Sequence, residues 1–217
     1  MPIAKPPVLV YNISISYERR YGMLIDISQE VFSCAVYPGD PSPKRTVARS
    51  ITEGDMYNLS ELSMCVHNGT HIDSPFHFIN DGRTVEQIPL ESFVGPCYVC
   101  RRTGDLSAAD AEQIVSEADK LGAGERIIIA GRGVVTAEAA AVFAESEVRL
   151  IGTDSQSVGP ADAPMKVHII LLSKDIVLLE GLQLDGVEGG RYFLSAAPLK
   201  LAGCDGAPCR AYLMTEG

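Results

Sequence analysis

Short apolar runs alternate with polar turns along the chain, and the hydrophobic period switches between strand and helix in its middle third. Arg126–Ala130 is too short for a buried helix and reads as a strand covered on both faces. Val148–Gly152 and Ile176–Leu179 repeat that pattern, the second ending on Glu180. Between these runs the spacing becomes helical. Ser107 followed by Asp110 forms a capping box ahead of apolar Ala111, Ile114, Val115 and Ala118, and Gly122 closes that helix. Thr136 caps a second helix running through about Ala144, and Ala163–Leu172 reads as a third. Further strands are expected at Leu24–Ile27, Leu59–Val66, around Cys97–Cys100, Tyr192–Leu201 and Cys209–Met214. Tyr37-Pro38-Gly39-Asp40-Pro41 is a turn, because Pro presets φ and Gly supplies the permissive position.

Strand alternating with helix implies parallel pairing, whereas both ends of the chain are strand-rich. The pattern predicts an α/β fold with two sheet systems and few helices. Residues 1–22 are expected to be an arm or edge strand. No Pro/Gly/Ser linker divides residues 23–217, which are expected to form one domain.

Composition narrows the class. Of 217 residues 46% are hydrophobic and 21% charged, which excludes a disordered chain and allows a sizeable core. The net charge of -10 and the lack of a Lys/Arg stripe argue against nucleic acid and anionic membranes as partners. No apolar run approaches the roughly 20 residues of a spanning helix. No secretory signal is evident at the N-terminus, so a cytoplasmic location is expected and the sequons at Asn12, Asn58 and Asn68 are expected to be unused. Cys97 and Cys100 have CxxC spacing but sit in a strand-like run, where residues three apart face opposite ways; buried reduced thiols are the expected state.

The chemistry concentrates in one segment. Three of the four histidines fall in His67-Asn68-Gly69-Thr70-His71-Ile72-Asp73-Ser74-Pro75-Phe76-His77-Phe78. Imidazole and carboxylate are ligands of borderline divalent metals such as zinc. Gly69, Thr70 and Pro75 disfavour a helix, so a strand running into a turn is expected, with positions 67, 71 and 73 on one face. Pro75 should break the strand and set His77 across the pocket, where an imidazole not needed as ligand can act as general acid/base. His168 lies on the third helix. Glu180 ends an apolar strand and is either a surface residue or a buried carboxylate needing a cation.

These residues resemble the cyclase-like metal-dependent hydrolases, and among them the bacterial kynurenine formamidase (arylformamidase) branch. The pattern H-x-G-[TA]-H-x-D-x-P-x-H is met from His67 to His77. A WPGD-like turn is met by Tyr37-Pro38-Gly39-Asp40, and a His followed twelve residues later by the Glu of an LEGL segment is met by His168 and Leu179-Glu180-Gly181-Leu182. Gly95-Pro96-Cys97 and the stretch from Pro198 to Gly203 also look familial, so the resemblance spans roughly residues 24–214.

The resemblance implies a three-layer β/β/α swivelling-domain fold and a homodimer or homotetramer. It implies one zinc on His67, His71 and Asp73, with Asp73 bridging to a second zinc on His168 and Glu180; a single manganese is the variant in some relatives. His77 would be the proton shuttle and Tyr37 a substrate contact. The implied reaction is hydrolysis of N-formyl-L-kynurenine to L-kynurenine and formate in tryptophan breakdown. The alternatives are a cyclic amide or lactone, as in isatin hydrolysis, or a relative that binds metal or carboxylate without turnover. Three features depart from the pattern: Tyr37 replaces a tryptophan, Ile169 follows His168 where formamidases carry a second histidine, and about twenty residues precede the family core.

Overall fold

The computed structural model describes residues 21–216. In chain order the elements are β1 (Tyr21–Asp26), β2 (Lys44–Arg49), β3 (Leu59–Ser63), β4 (His71–Asp73), β5 (Val94–Arg101), β6 (Gly104–Leu106), α1 (Ala108–Lys120), β7 (Arg126–Ala130), β8 (Gly133–Val135), α2 (Ala137–Ala144), β9 (Leu150–Thr153), α3 (Met165–Leu172), β10 (Val177–Glu180), β11 (Gly190–Ser195), β12 (Gly206–Pro208) and β13 (Tyr212–Glu216). Among the described residues nine strands form one mixed sheet, ordered β1-β13-β11-β5-β7-β9-β10-β4-β12.

The helical middle makes the parallel part of this sheet. β5, β7, β9 and β10 run parallel, as strand–helix alternation requires. Ser107 accepts from the Asp110 amide, and the Asp110 carboxylate accepts from the Ser107 amide, so the capping box starts α1. Thr136 caps α2 through the Ala139 amide.

Alternation along these strands divides two cores. Ile127 and Ile129 join Ile114, Ala118, Phe143 and Leu171 under the helices, while Ile128 and Ala130 face the other side. That second core unites Ile72 of β4 and Ala207 of β12 with Leu213 of β13 and Ile27 just after β1, elements from opposite ends of the strand order. The sheet therefore curls upon itself with the helices outside, giving sheet, sheet and helix layers. A fully buried Ile such as Ile128 contributes about 1.5–3 kcal/mol relative to exposure. Cys97 and Cys100 fall in different cores and are free thiols, with burial pushing both up to about 12.

Several boundaries differ from expectation. The run Leu59–Val66 is strand only to Ser63, where it pairs with β2 in an exposed two-stranded ribbon. The run Tyr192–Leu201 breaks off at Ser195, ahead of Pro198, which lacks the N–H a ladder needs. The last strand starts at Tyr212 rather than Cys209. Of the expected arm, residues 1–20 lie outside the described residues, while Tyr21 and Gly22 belong to the edge strand β1.

Candidate metal centre

The cleft is built where an antiparallel strand closes the parallel sheet. β4 pairs antiparallel with β10, so Glu180 stands opposite His71 and Leu178 opposite Asp73. Directly opposed side chains lie about 5 Å apart at Cβ, which brings imidazole and carboxylate together without any loop. His71 and Asp73 share a face by the strand period, as expected. His67 does not share it by that route: it lies in the turn before β4. Gly69, at φ +69, turns that segment back, and a Cβ on Gly181 would meet the Gly69 carbonyl oxygen at 2.4 Å. Two glycines at positive φ thus let the two backbones touch beside the cleft. Thr70 locks the contact, its Oγ1 donating to the Gly181 carbonyl at 2.6 Å and accepting from the Gln29 amide.

α3 delivers the remaining imidazole. His168 Nε2 lies 3.3 Å from Glu180 Oε1 and 3.6 Å from Asp73 Oδ2. Asp73 Oδ1 faces the other way, 2.8 Å from His67 Nδ1 and 3.3 Å from His71 Nε2. One carboxylate therefore reaches three histidines, His67 and His71 through one oxygen and His168 through the other. Ligand atoms of His71, Asp73 and Glu180 all lie within 4.8 Å of one another, as do those of His67, Asp73 and His77. This grouping places Glu180 with His71 and Asp73, and adds His77 to the His67 side. His77 sits on a 3₁₀ turn that follows β4, its ring 4.2 Å from that of His67, so it is stacked beside His67 rather than set across the pocket. Glu180 is 4% exposed, and its Oε1 accepts from the Val158 amide at 2.8 Å, which removes the surface reading.

The donor set fits a divalent cation by its hydrogen bonds. His71 Nδ1 donates to the Gly69 carbonyl at 3.0 Å, and His168 Nδ1 donates to the Pro164 carbonyl at 2.9 Å. In the neutral rings both Nε2 lone pairs then point at Asp73 and Glu180, which also only accept. Buried lone pairs facing carboxylates need positive charge between them, either protons or a metal. Without metal the rings hold protons. Burial, the largest influence, pulls His168 down, but the hydrogen bonds and charges of Asp73 and Glu180 carry it up to about 10. Burial likewise lowers His67, and Asp73 and Asp205 carry it up to about 9. Asp73 is held well below the usual carboxylate range: burial raises it, and the hydrogen bonds of His168, His67 and His71 outweigh that.

The cleft has a volume of about 260 Å³ and is lined by these groups together with Tyr37, Asp40, Phe78 and Ser157. The turn at Tyr37 closes through the Asp40 amide and the Tyr37 carbonyl, which sets the phenol at the rim, 39% exposed. Two groups, one lining the cleft and one behind its histidines, escaped the sequence reading. Ser157 Oγ is buried and has no partner among the described residues. Asp205 Oδ2 lies 2.8 Å from His67 Nε2 and 3.1 Å from His77 Nδ1. Only pairing of β12 with β4, which sets Gly206 opposite Asp73, brings Asp205 here. Its one signal in the sequence is an acidic residue beside Gly206, just past the familial Pro198–Gly203 stretch.

Known proteins carry the same architecture. The Cyclase family model matches residues 25–160. A kynurenine formamidase of Salinibacter ruber is 37% identical over 205 residues, covering 88% of this chain and 96% of that protein. The structure of a predicted metal-dependent hydrolase from Bacillus stearothermophilus is 31% identical with a TM-score of 0.71, covering 88% of this chain and 98% of that one. Isatin hydrolase A from Ralstonia solanacearum superposes with a TM-score of 0.77 at 20% identity, covering 99% of this chain and 100% of that one, a likeness of fold. With the family match spanning well over half its length, and relatives of this identity covering most of it, the chain belongs to the Cyclase family.

Proposed function

We propose that this protein is a metal-dependent amide hydrolase that converts N-formyl-L-kynurenine to L-kynurenine and formate. The observation that carries the reading is the convergence of His67, His71, Asp73, His168 and Glu180, with the Nδ1 atoms of His71 and His168 already tied to backbone carbonyls. The 37% identity to a kynurenine formamidase supports the choice of substrate. Those five residues would hold zinc, two ions sharing Asp73, or manganese. A divalent cation bound there supplies Lewis acidity and water ionised near neutral pH.

The chain's own groups do the rest. His77 lines the cleft, with Nδ1 directed at Asp205 and Nε2 left for the substrate side. It takes a proton from the attacking water as the bond to the formyl carbon forms. It returns that proton to the aniline nitrogen as the C–N bond breaks, so water and amide become formate and arylamine. Ser157 Oγ, unpartnered beside the cleft, can donate to the developing negative oxygen. Tyr37 at the rim meets the aromatic part of the substrate.

We place the enzyme in the cytoplasm; six free cysteines support a reducing compartment. We infer a homodimer or homotetramer. The support is the β2–β3 ribbon, whose residues are all exposed and which carries Val47 and Leu62 at 55% and 57% exposure.

The test is formate release from N-formyl-L-kynurenine, with and without chelator and with zinc or manganese restored. Chelator-sensitive release is expected. No release from protein that demonstrably binds metal would overturn the substrate assignment and direct the search to lactones and cyclic amides.

A further inference from the structure

Asp205 touches two imidazoles with one atom. Its Oδ2 lies 2.8 Å from His67 Nε2 and 3.1 Å from His77 Nδ1. A carboxylate oxygen only accepts, so both nitrogens carry hydrogen. That choice fixes what the opposite nitrogens do. His67 is left with Nδ1 facing Asp73 Oδ1 at 2.8 Å, and His77, a lining residue of the cleft, keeps Nε2 free of Asp205. The two rings lie 4.2 Å apart and tilt by 37°, so neither can rotate far without striking the other.

The position of Asp205 is itself held by other bonds. Its carbonyl accepts from the Ser74 amide and from Ser74 Oγ, both at 2.9 Å. Ser74 directly follows Asp73, so the ligand strand carries the anchor. The next residue, Gly206, leaves room for the His67 ring, since a Cβ there would meet His67 Cε1 at 2.9 Å. These backbone contacts survive loss of the carboxylate, which makes the side chain removable without dismantling the loop.

We propose that Asp205 is a positioning residue that sets two tautomers at once: it aims the His67 Nδ1 lone pair at the metal and the His77 Nε2 at the substrate. The inference rests on the reading of His67 as ligand and His77 as proton carrier. It couples metal affinity to turnover through one oxygen. Carboxylate partners of metal-ligating histidines typically change metal affinity or activity by about 10–100-fold when removed.

The experiment uses the full chain stripped of metal, with zinc affinity read by competition against a chromophoric chelator at one fixed pH. Asp205→Ala is expected to weaken zinc about 10–100-fold. At saturating zinc, its kcat is expected to fall with KM nearly unchanged. Asp205→Asn, which keeps the shape and an acceptor but loses the charge, is expected to lie between. In a His77→Ala background, Asp205→Ala should weaken zinc by the same factor and lower kcat no further. Unchanged zinc affinity in Asp205→Ala, while His67→Ala loses zinc, would overturn the proposal and leave the metal site standing. Unchanged affinity in His67→Ala as well would show that the underlying site reading has failed, and the proposal with it. Additive kcat losses in the double variant would overturn the His77 half.

Discussion

Refilling the stripped site should expel protons, and the number can be worked out from the geometry. His67 and His168 are carried up to about 9 and about 10 by the carboxylates around them. At pH 7 both rings are therefore imidazolium in metal-free protein. A cation needs the lone pair that each proton occupies, so each ring must release one. His71, also raised, is wholly buried; burial pulls it down, but Asp73 and then Glu180 more than offset that. It can add a third proton. At about 1.4 kcal/mol per pH unit, displacing the first two at pH 7 costs about 3 and about 4 kcal/mol of apparent metal affinity. The apparent association constant should then climb about 100-fold per pH unit below pH 9, and more slowly above it. Calorimetric titration of zinc in buffers of differing ionisation enthalpy counts the protons directly. Two to three per filled site is the expected count. A count of zero would refute the reasoning, because it would mean the rings were neutral beforehand.

The same shifts fix the sign of a stability change. A histidine whose folded pKa is raised stabilises the fold fully below its unfolded value of about 6.5, and that contribution is lost as pH rises through the folded value. Stripped protein should therefore melt lower at pH 10 than at pH 7. The gain from added metal should grow across that interval.

Other predictions follow from particular contacts. His77→Ala should keep zinc affinity within a few-fold and lose about 10²–10⁴-fold in kcat, measured by formate release; unchanged turnover would remove His77 from the reaction. Gly69→Ala meets nothing nearer than Val31 Cγ2 at 3.7 Å, so it should cost only the left-handed backbone, about 1–2 kcal/mol in denaturant unfolding. Gly181→Ala drives a methyl to 2.4 Å from the Gly69 carbonyl and should cost several-fold more; equal losses would contradict the close approach. Val47→Glu with Leu62→Glu, two apolar positions on one face of the ribbon, should reduce the mass seen by light scattering to that of one chain; an unchanged multimer would place the interface elsewhere.

What was legible in the sequence follows the range of the physics involved. Helix caps and buried strands are local, so Ser107, Thr136 and Arg126–Ala130 were readable to within a residue or two. The histidine segment was readable because three scarce residues lie within eleven positions. Strand ends were less so: apolar residues continue past Ser195 and before Tyr212, and there pairing partners, not hydrophobicity, decide where the ladder stops. Period alone gave the wrong route for His67, because a glycine turn can return a side chain to a face that strand parity would also assign. Glu180 was undecidable from its own neighbourhood, and only its partner across the sheet, His71, determines its burial. Asp205 is the extreme case, 128 residues from His77, and an acidic residue beside a glycine is its one local mark.

That distribution also says where chemistry and specificity part company. Three of the five candidate ligands are bound into the sheet, His71 and Asp73 on β4 and Glu180 opposite His71 on β10, and Asp205 stands beside β12. Moving any one would shift a strand register and send its core residues Ile72 and Leu179 out of the curl. Tyr37 has no such tie. It stands on an exposed turn at the rim, held by one backbone hydrogen bond, where a change of ring disturbs neither core nor ligands. A fold built this way can keep one hydrolytic centre while the rim is rewritten for another ring system. On the proposed reading, a change of ring at Tyr37 should therefore alter which amide enters the cleft and leave the candidate ligands in place.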